Sequence, residues 1–235
     1  MRDRMKDEHY FYTLIQKENE SVIMFEDAVK KTALEKGELD RGVRNGYSIL
    51  INSYEKEINL LYSLGEDLDA IEEVYKKLLF YYSKMWDRKY GYIELIKVLS
   101  LAVLFEVNRS DIFELKEKLI SEKFDDYLAN CLIKKIDPTW ERGGAESEFK
   151  VYDCLKQILE NDGETVCEEL KEYLQEKWYE IHRECAWHDS HKSSKNVYYG
   201  YWSFEAGAIA KILILDDSSL KDVPYYPYDL VHYKK

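Results

Sequence analysis

Apolar side chains recur every three or four residues along most of this chain, the spacing that places them on one side of an α-helix. The first such segment runs from Asp7 to Lys36, and Phe11, Ile15 and Val22 lie on its apolar stripe. This pattern predicts an all-α protein, a multi-helix bundle. The same period predicts about nine helices, near 7–36, 40–64, 68–82, 92–107, 111–120, 125–135, 146–160, 165–181 and 198–215.

The segment from Tyr92 to Val107 is apolar nearly all round, which predicts a helix at the centre of the bundle. Residues 137–144 contain a proline and paired glycines, and both oppose helix, so this is the clearest loop in the chain. We place a boundary there. This boundary in the loop predicts an N-terminal helical domain at 1–136 and a C-terminal helical domain at 145–235, which pack tightly as two halves.

Tyrosine is unusually frequent, with 21 residues, and several lie in the irregular C-terminal tail at 221–235. The two prolines of this tail prevent a regular helix. Exposed aromatic side chains are costly, so the tail tyrosines either clamp the last helix to the bundle or form a protein-binding surface. We favour the clamp, because buried aromatic side chains dominate protein cores.

Composition supports a folded helical protein and narrows its partners. Apolar residues make up 46% of the chain, enough for a core, whereas the 3 prolines and 10 glycines are few. The net charge of −12 argues against direct binding to nucleic acid or an anionic membrane, since both need a cationic surface. No apolar stretch reaches the roughly 20 residues of a membrane span, and no targeting segment opens the chain, so we expect a cytoplasmic protein.

The strongest candidate for a chemical site is the polar segment that contains Cys185, His188 and His191, because zinc accepts both residue types as ligands. No second ligand pair has the usual structural-zinc spacing, so we favour a polar connection with hydrogen-bonded histidines. We therefore predict no metal, cofactor or catalytic residue, and keep a metal-dependent helical enzyme as an alternative. The acidic residues available to such a site are Glu184, Asp189 and Glu205.

Three runs near the C-terminus carry a long and specific resemblance: YYGYWSFEAGAIAKIL at 198–213, DDSSL at 216–220 and YYPYDL at 225–230. Together they resemble the C-terminal domain of the PoNi family, bacterial immunity proteins that neutralise PoNe-type DNase toxins. Shorter pieces, YSLG at 62–65 and LSLA at 99–102, resemble its N-terminal domain. The motif residues of the C-terminal runs are Tyr201, Trp202, Asp216, Tyr225, Tyr226, Pro227 and Asp229.

The resemblance implies an all-helical immunity protein, made in the cytoplasm beside its toxin. It implies inhibition by direct protein–protein contact rather than catalysis, against polymorphic DNase toxins of the PD-(D/E)xK type that secretion systems deliver to rival bacteria. The net charge agrees with this, because a nuclease surface is cationic where it holds phosphates. A rigid helical scaffold also needs little reordering on binding.

Acidic residues exceed basic ones by more in residues 121–235 than in residues 1–120, so we seek the partner-binding face in the second half. Glu205 has a second interpretation, as a buried partner of Lys211, Arg183 or a tyrosine hydroxyl. A helical adaptor with another protein target is a further alternative, which salt-insensitive binding would favour. The predicted partner-binding residues are Glu168, Glu169, Glu172, Glu176, Trp178, Asp189 and Glu205.

Overall fold

The computed structural model describes residues 1–144, 146, 147, 150–161 and 165–234. Within these ranges the chain forms helices and turns and no β-strand, so the predicted all-α fold class is confirmed. Short 3₁₀ turns lie at Lys150–Tyr152, Ser190–Lys192 and Ser218–Leu220, and a π turn lies at Tyr173–Lys177. The α-helices are α1 Glu8–Lys36, α2 Arg41–Leu64, α3 Leu68–Met85, α4 Tyr92–Leu104, α5 Phe113–Ser121, α6 Tyr127–Ile136, α7 Asp153–Glu160, α8 Val166–Glu172, α9 Trp178–Ile181, α10 Phe204–Leu213 and α11 Tyr228–Val231.

Aspartates begin several of these helices. Asp7, Asp40, Asp67 and Asp126 precede α1, α2, α3 and α6, and each side chain accepts a hydrogen bond from a backbone N–H of the first turn. Such caps satisfy donors that the helix itself leaves unpaired. Gly65 then ends α2 in the left-handed conformation. The predicted starts of the first three helices are therefore confirmed to within a residue.

The first compact unit consists of Met1–Trp86 and Asp189–Tyr201. In it, α1 and α3 both pack against α2, which buries a face rich in leucine, isoleucine and tyrosine. The N-terminal arm lies along the end of α2, because the backbone N–H groups of Arg2 and Asp3 both donate to the Ser63 carbonyl. The Tyr198 hydroxyl donates to the Asp3 carboxylate, so the later segment of this unit is joined to the arm.

The second compact unit consists of Asp87–His188 and Trp202–Lys235. Its centre is α4, which packs against α6 and α10 and is buried at ten of its 13 positions. The predicted central position of this helix is thus confirmed within the unit. It ends at Leu104 instead of Val107, because Glu106 takes a left-handed backbone conformation with φ 52°.

The predicted helix over 198–215 is wrong in its first six residues, since α10 begins at Phe204. Gly200 has φ 103°, which a right-handed helix excludes. The backbone N–H of Tyr198 donates to the Tyr10 hydroxyl, at 3.0 Å, instead of to a helical carbonyl. Contacts distant in sequence therefore override the local helical period here.

Two other helices begin later in the chain than predicted. The helix expected from Glu146 begins as a 3₁₀ turn at Lys150 and becomes α7 only at Asp153; residues 148 and 149 of that prediction lie outside the described residues. The fifth helix begins at Phe113, two residues after the predicted start at Asp111. The predicted division into domains 1–136 and 145–235 stays a prediction.

Candidate protein-binding site

The segment from α8 to α9 has one buried and one acidic face. Apolar and aromatic side chains at 166, 170, 173, 174 and 178 are buried in the second unit. On the opposite side, glutamates recur at every fourth position and are exposed. We call Glu168, Glu172, Glu176 and Glu180 the acidic stripe. The sequence argument selected the first three; Glu180 was missed, although the four-residue spacing was a signal for it.

The π turn inside this segment has a structural function. The backbone N–H of Trp178 donates to the carbonyl of Tyr173, five residues earlier, which is the hydrogen bond of a π-helix. Residues five apart diverge around a regular α-helix with 3.6 residues per turn. The wider turn brings the side chains of Tyr173 and Trp178 to the same atom, Oε1 of Glu205 on α10.

Glu205 accepts three hydrogen bonds on that oxygen. The Tyr173 hydroxyl donates over 3.0 Å, the Trp178 indole N–H over 2.6 Å and the Ser203 hydroxyl over 2.9 Å. The side chain is only 5% exposed, and a buried carboxylate needs such donors to offset its lost hydration. Burial, with Glu205 nearby, raises the pKa of Tyr173 well above its usual 10, so this hydroxyl keeps its proton. The alternative interpretation of Glu205, a buried partner of a tyrosine hydroxyl, is the arrangement in the structure.

A second buried chain of hydrogen bonds continues from Trp178. The His182 Nδ1 lies 2.7 Å from the Trp178 carbonyl oxygen, which can only accept, so Nδ1 carries the proton. In the neutral ring Nε2 is then the acceptor, and the Tyr152 hydroxyl donates to it over 3.0 Å. Burial raises the pKa of Tyr152 well above 10. The buried polar groups of Trp178, His182 and Tyr152, beneath the stripe, are therefore hydrogen-bonded to one another.

The C-terminal tail packs on the same inner face. The Tyr225 ring lies 4.6 Å from the Trp178 ring, and the Tyr225 carbonyl accepts from the Ser203 backbone N–H. Pro227 is buried against Gly207 of α10, where a Cβ would come within 2.6 Å of the proline ring. Only glycine admits this approach without a shift of the tail. These contacts join the tail to α9 and α10.

Asp217 is the aspartate that holds the tail, and the sequence argument missed it. Its carboxylate accepts from the Tyr226 hydroxyl at 2.6 Å and contacts His232 Nε2 at 2.9 Å, and it is 2% exposed. Burial and this hydrogen bond raise the pKa of Tyr226. Asp216, the motif residue chosen from sequence, is exposed and accepts from the Ser218 backbone N–H, at 3.3 Å. Adjacent residues point in different directions, and the sequence alone did not decide between them.

The other predicted residues lie in varied surroundings. Glu169 is half-buried and accepts from Asn161 and Thr165. Asp189, in the first unit, is exposed and pairs with Lys192 at 2.8 Å. Tyr201 is buried in that unit beside Ser190. Trp202 is half-buried and Asp229 is exposed, both in the second unit. Trp178 and Glu205 are buried, so they support the surface from beneath rather than contribute to it.

The described residues contain no group of three histidine, cysteine, aspartate or glutamate side chains placed to hold a metal ion. Cys185 is a free thiol, and burial raises its pKa, with a further contribution from Glu94. A raised pKa opposes the thiolate that a nucleophile or a metal ligand requires. The raised pKa of Cys185 is thus unfavourable to the metal-dependent alternative.

Fold and surface together define an all-helical protein of two compact units, with an acidic stripe over a closed aromatic interior. Family models for PoNe immunity proteins (PoNi) match almost the whole chain, the N-terminal model over residues 2–117 and the C-terminal model over residues 124–230. The chain belongs to this family of immunity proteins, as the resemblance of its motifs implied.

Among solved structures, the crystal structure of protein PA2201 from Pseudomonas aeruginosa is similar, with a TM-score of 0.57 and 16% sequence identity. The similarity covers 90% of this chain and 87% of that one, and at this identity it shows a shared fold alone. None of the curated proteins compared with the chain matches it. Within the described ranges, no helix is long and apolar enough to cross a membrane.

Proposed function

We propose that this protein binds a PoNe-type DNase toxin directly and neutralises it, as a stoichiometric inhibitor and not as an enzyme. Membership of the PoNe immunity family over nearly the whole chain supports a toxin as the partner. The proposed toxins are polymorphic DNases of the PD-(D/E)xK type used between competing bacteria. We place this action in the cytoplasm of the producing cell, where a newly made toxin would meet its inhibitor.

The acidic stripe is the proposed contact surface, and its spacing is the observation that carries this proposal. Glutamates four residues apart on a helix repel one another, at about 0.2 to 0.5 kcal/mol for each pair. Lys177 relieves only part of this repulsion, through a 2.7 Å ion pair with Glu172. A cationic partner surface relieves the repulsion that the free protein bears.

A DNase must hold phosphates, so its substrate-binding surface is cationic. An inhibitor with a net charge of −12 attracts such a surface over several ångströms, which speeds association and makes it depend on salt. The hydrogen bonds beneath the stripe keep its backbone in place, which lowers the ordering cost of binding. Glu169 remains a proposed contact beside the stripe, and Asp189, in the first unit, remains a separate proposed contact.

The test uses a catalytically inactive toxin domain of the PoNe family, with the cognate toxin sought among the genes that neighbour this one. Binding is measured for the wild-type protein and for the triple variant Glu172→Gln, Glu176→Gln, Glu180→Gln. We expect the variant to bind at least about tenfold more weakly, chiefly through slower association, and to show a weaker salt dependence.

The matched control is the triple variant Glu20→Gln, Asp27→Asn, Glu35→Gln, which removes the same charge from exposed positions of α1. We expect its dissociation constant to change by less than about threefold. Equal losses of affinity in both variants would show that the stripe contributes only through the net charge of the protein. A wild-type protein that neither binds the toxin nor protects cells that express it would refute the proposed function.

A further inference from the structure

A row of aromatic rings in the second compact unit joins α9 to the C-terminal tail. The ring of Trp178 lies 5.5 Å from that of Trp187 and 4.6 Å from that of Tyr225. Tyr225 stacks on Tyr179 at 5.9 Å between ring centres, with 11° between the planes, and Tyr179 lies 4.1 Å from the ring of His188. Trp178 is buried, whereas the other members are half-buried. We call Tyr179, Trp187 and Tyr225 the aromatic shelf.

The shelf holds a large aromatic surface in a fixed position. Each of its rings contacts at least one other ring of the row, so its orientation is set before any partner arrives. Tyrosine and tryptophan side chains have few rotatable bonds and are enriched among the residues that anchor protein–protein interfaces. Rings that are already ordered lose little side-chain entropy on binding. The shelf therefore has the composition and the order of an interface anchor.

The backbone of Tyr225 adds a separate observation. Its φ of 69° lies in the left-handed region, which bulky side chains rarely adopt and which glycine and asparagine take at lower cost. The Tyr225 carbonyl accepts from the Ser203 N–H at 2.8 Å, a backbone contact that any residue can make. The turn itself therefore does not require tyrosine. What tyrosine adds is a ring held against Trp178 and Tyr179, and backbone strain of this kind is concentrated at functional sites.

The shelf adjoins the acidic stripe. Tyr179 follows Glu176 by three residues and immediately precedes Glu180, and both glutamates are exposed. Residues three apart on a helical segment are neighbours on its surface. A cation is attracted both by the face of an aromatic ring and by a carboxylate. Rings beside carboxylates thus favour a partner group that is flat and cationic, which is the guanidinium of arginine.

We propose that the aromatic shelf receives an arginine side chain of the toxin, which stacks on the shelf and pairs with Glu176 or Glu180. Arginine fits better than lysine, because its planar group can stack on a ring while its N–H groups donate to a carboxylate. This inference rests on the proposed function, since that function supplies the partner. It adds to the acidic stripe an anchor that net charge alone does not explain.

The first test removes the ring of Tyr225 and keeps its backbone conformation. Asparagine tolerates the left-handed region, so Tyr225→Asn should fold, and urea unfolding checks this. We expect its dissociation constant for the inactive toxin domain to rise by about tenfold or more, mainly through faster dissociation. Ile214→Asn is the matched control, because Ile214 is also left-handed, with φ 54°, and is 84% exposed outside the shelf. We expect this control to change binding by less than about twofold, and an equal loss in both variants, or in neither, contradicts the inference.

A second pair of variants tests the ring face without changing the tail. Tyr179→Phe keeps the ring face and removes the hydroxyl, whereas Tyr179→Leu keeps an apolar side chain and removes the ring. We expect Tyr179→Leu to weaken binding by about fivefold or more and Tyr179→Phe by less than about twofold. Equal losses would assign the effect to the hydroxyl, and no loss in Tyr179→Leu would leave only apolar contact. Either result contradicts a stacked arginine.

The arginine itself is sought on the toxin. Each surface arginine of the inactive toxin domain is replaced by lysine, which keeps the charge and removes the planar group. We expect one of these variants to bind the wild-type protein about tenfold more weakly and to bind Tyr179→Leu with little further loss, since the two changes remove one contact. If the wild-type protein binds the toxin but no arginine is coupled to Tyr179, this inference alone is wrong. If the wild-type protein does not bind the toxin at all, the proposed function fails and this inference falls with it.

Discussion

Each compact unit buries a glutamate to a similar depth, and the two glutamates have opposite surroundings. Glu205 in the second unit is 5% exposed and accepts from a tyrosine, a tryptophan and a serine. Glu57 in the first unit is 8% exposed and receives no hydrogen bond from the described residues. The two glutamates therefore differ in the number of hydrogen bonds that they accept and not in their depth of burial.

This difference separates a carboxylate that holds its neighbours in place from one that does not. A carboxylate with three donors is already satisfied, and its function is to fix the elements that supply those donors, here the π turn and α10. A carboxylate that accepts no hydrogen bond from its neighbours fixes none of them, and its burial disfavours the charged form. The first can be tested through stability alone, and the second through the dependence of stability on pH.

The largest expected effect is that of Glu205→Ala. It leaves the Tyr173 hydroxyl, the Trp178 indole N–H and the Ser203 hydroxyl unpaired in the interior, so we expect a loss of about 3 to 5 kcal/mol in the free energy of unfolding. Urea unfolding followed by circular dichroism measures it. The control Glu180→Ala, on the exposed stripe, should change stability by less than about 0.5 kcal/mol. A loss in Glu205→Ala no larger than that of the control would show that the three hydrogen bonds do not hold the π turn.

The next effect is a gain in stability with Glu57→Gln. The folded-state pKa of about 7 lies above the ordinary 4.5, so stability is fullest below about pH 4.5 and falls as pH rises through 7. We expect the advantage of the variant over wild type to grow by about 2 to 3 kcal/mol between pH 5 and pH 8. Urea unfolding at four pH values from 5 to 8 measures the difference. A difference that does not depend on pH would contradict an unpaired buried carboxylate at this position.

The smallest expected effect is that of Tyr173→Phe, which tests one of the hydrogen bonds to Glu205. Tyr173→Phe removes one of its three donors and leaves the ring in place, so we expect a loss of about 1.5 to 2 kcal/mol. A double-mutant cycle with Glu205→Gln should show a coupling of about 1 kcal/mol, because the two side chains share one hydrogen bond. Strictly additive losses would mean that the hydroxyl contributes through packing and not through the carboxylate.

Much of the fold could be predicted because its signals are local. The predicted starts of the first three helices are confirmed to within a residue, since the aspartate that caps each helix lies next to it in the sequence. The apolar character of the segment from Tyr92 was also enough to predict a central helix. The four-residue spacing of the glutamates in the acidic stripe is also visible in the sequence.

The errors arose where distant contacts compete with the local pattern. The residues before Phe204 have a helical composition, yet Gly200 and the bond from the Tyr198 N–H to Tyr10 keep them out of a helix. The π turn at Tyr173–Lys177 was not predicted either, because it depends on Glu205, about 30 residues away. Asp216 and Asp217 are adjacent aspartates that the sequence gives no reason to distinguish, and only tertiary packing buries Asp217.

Local periodicity, capping residues and net charge were thus sufficient for the all-α class, the positions of the long helices and the acidic character of the protein. Which carboxylates are buried, and which of those have donors, was decided by tertiary packing. The reason is physical: a helical period depends on neighbours along the chain, whereas the environment of Glu57 or Glu205 is made by side chains from other helices. The sequence pattern alone does not distinguish the satisfied carboxylate from the unsatisfied one.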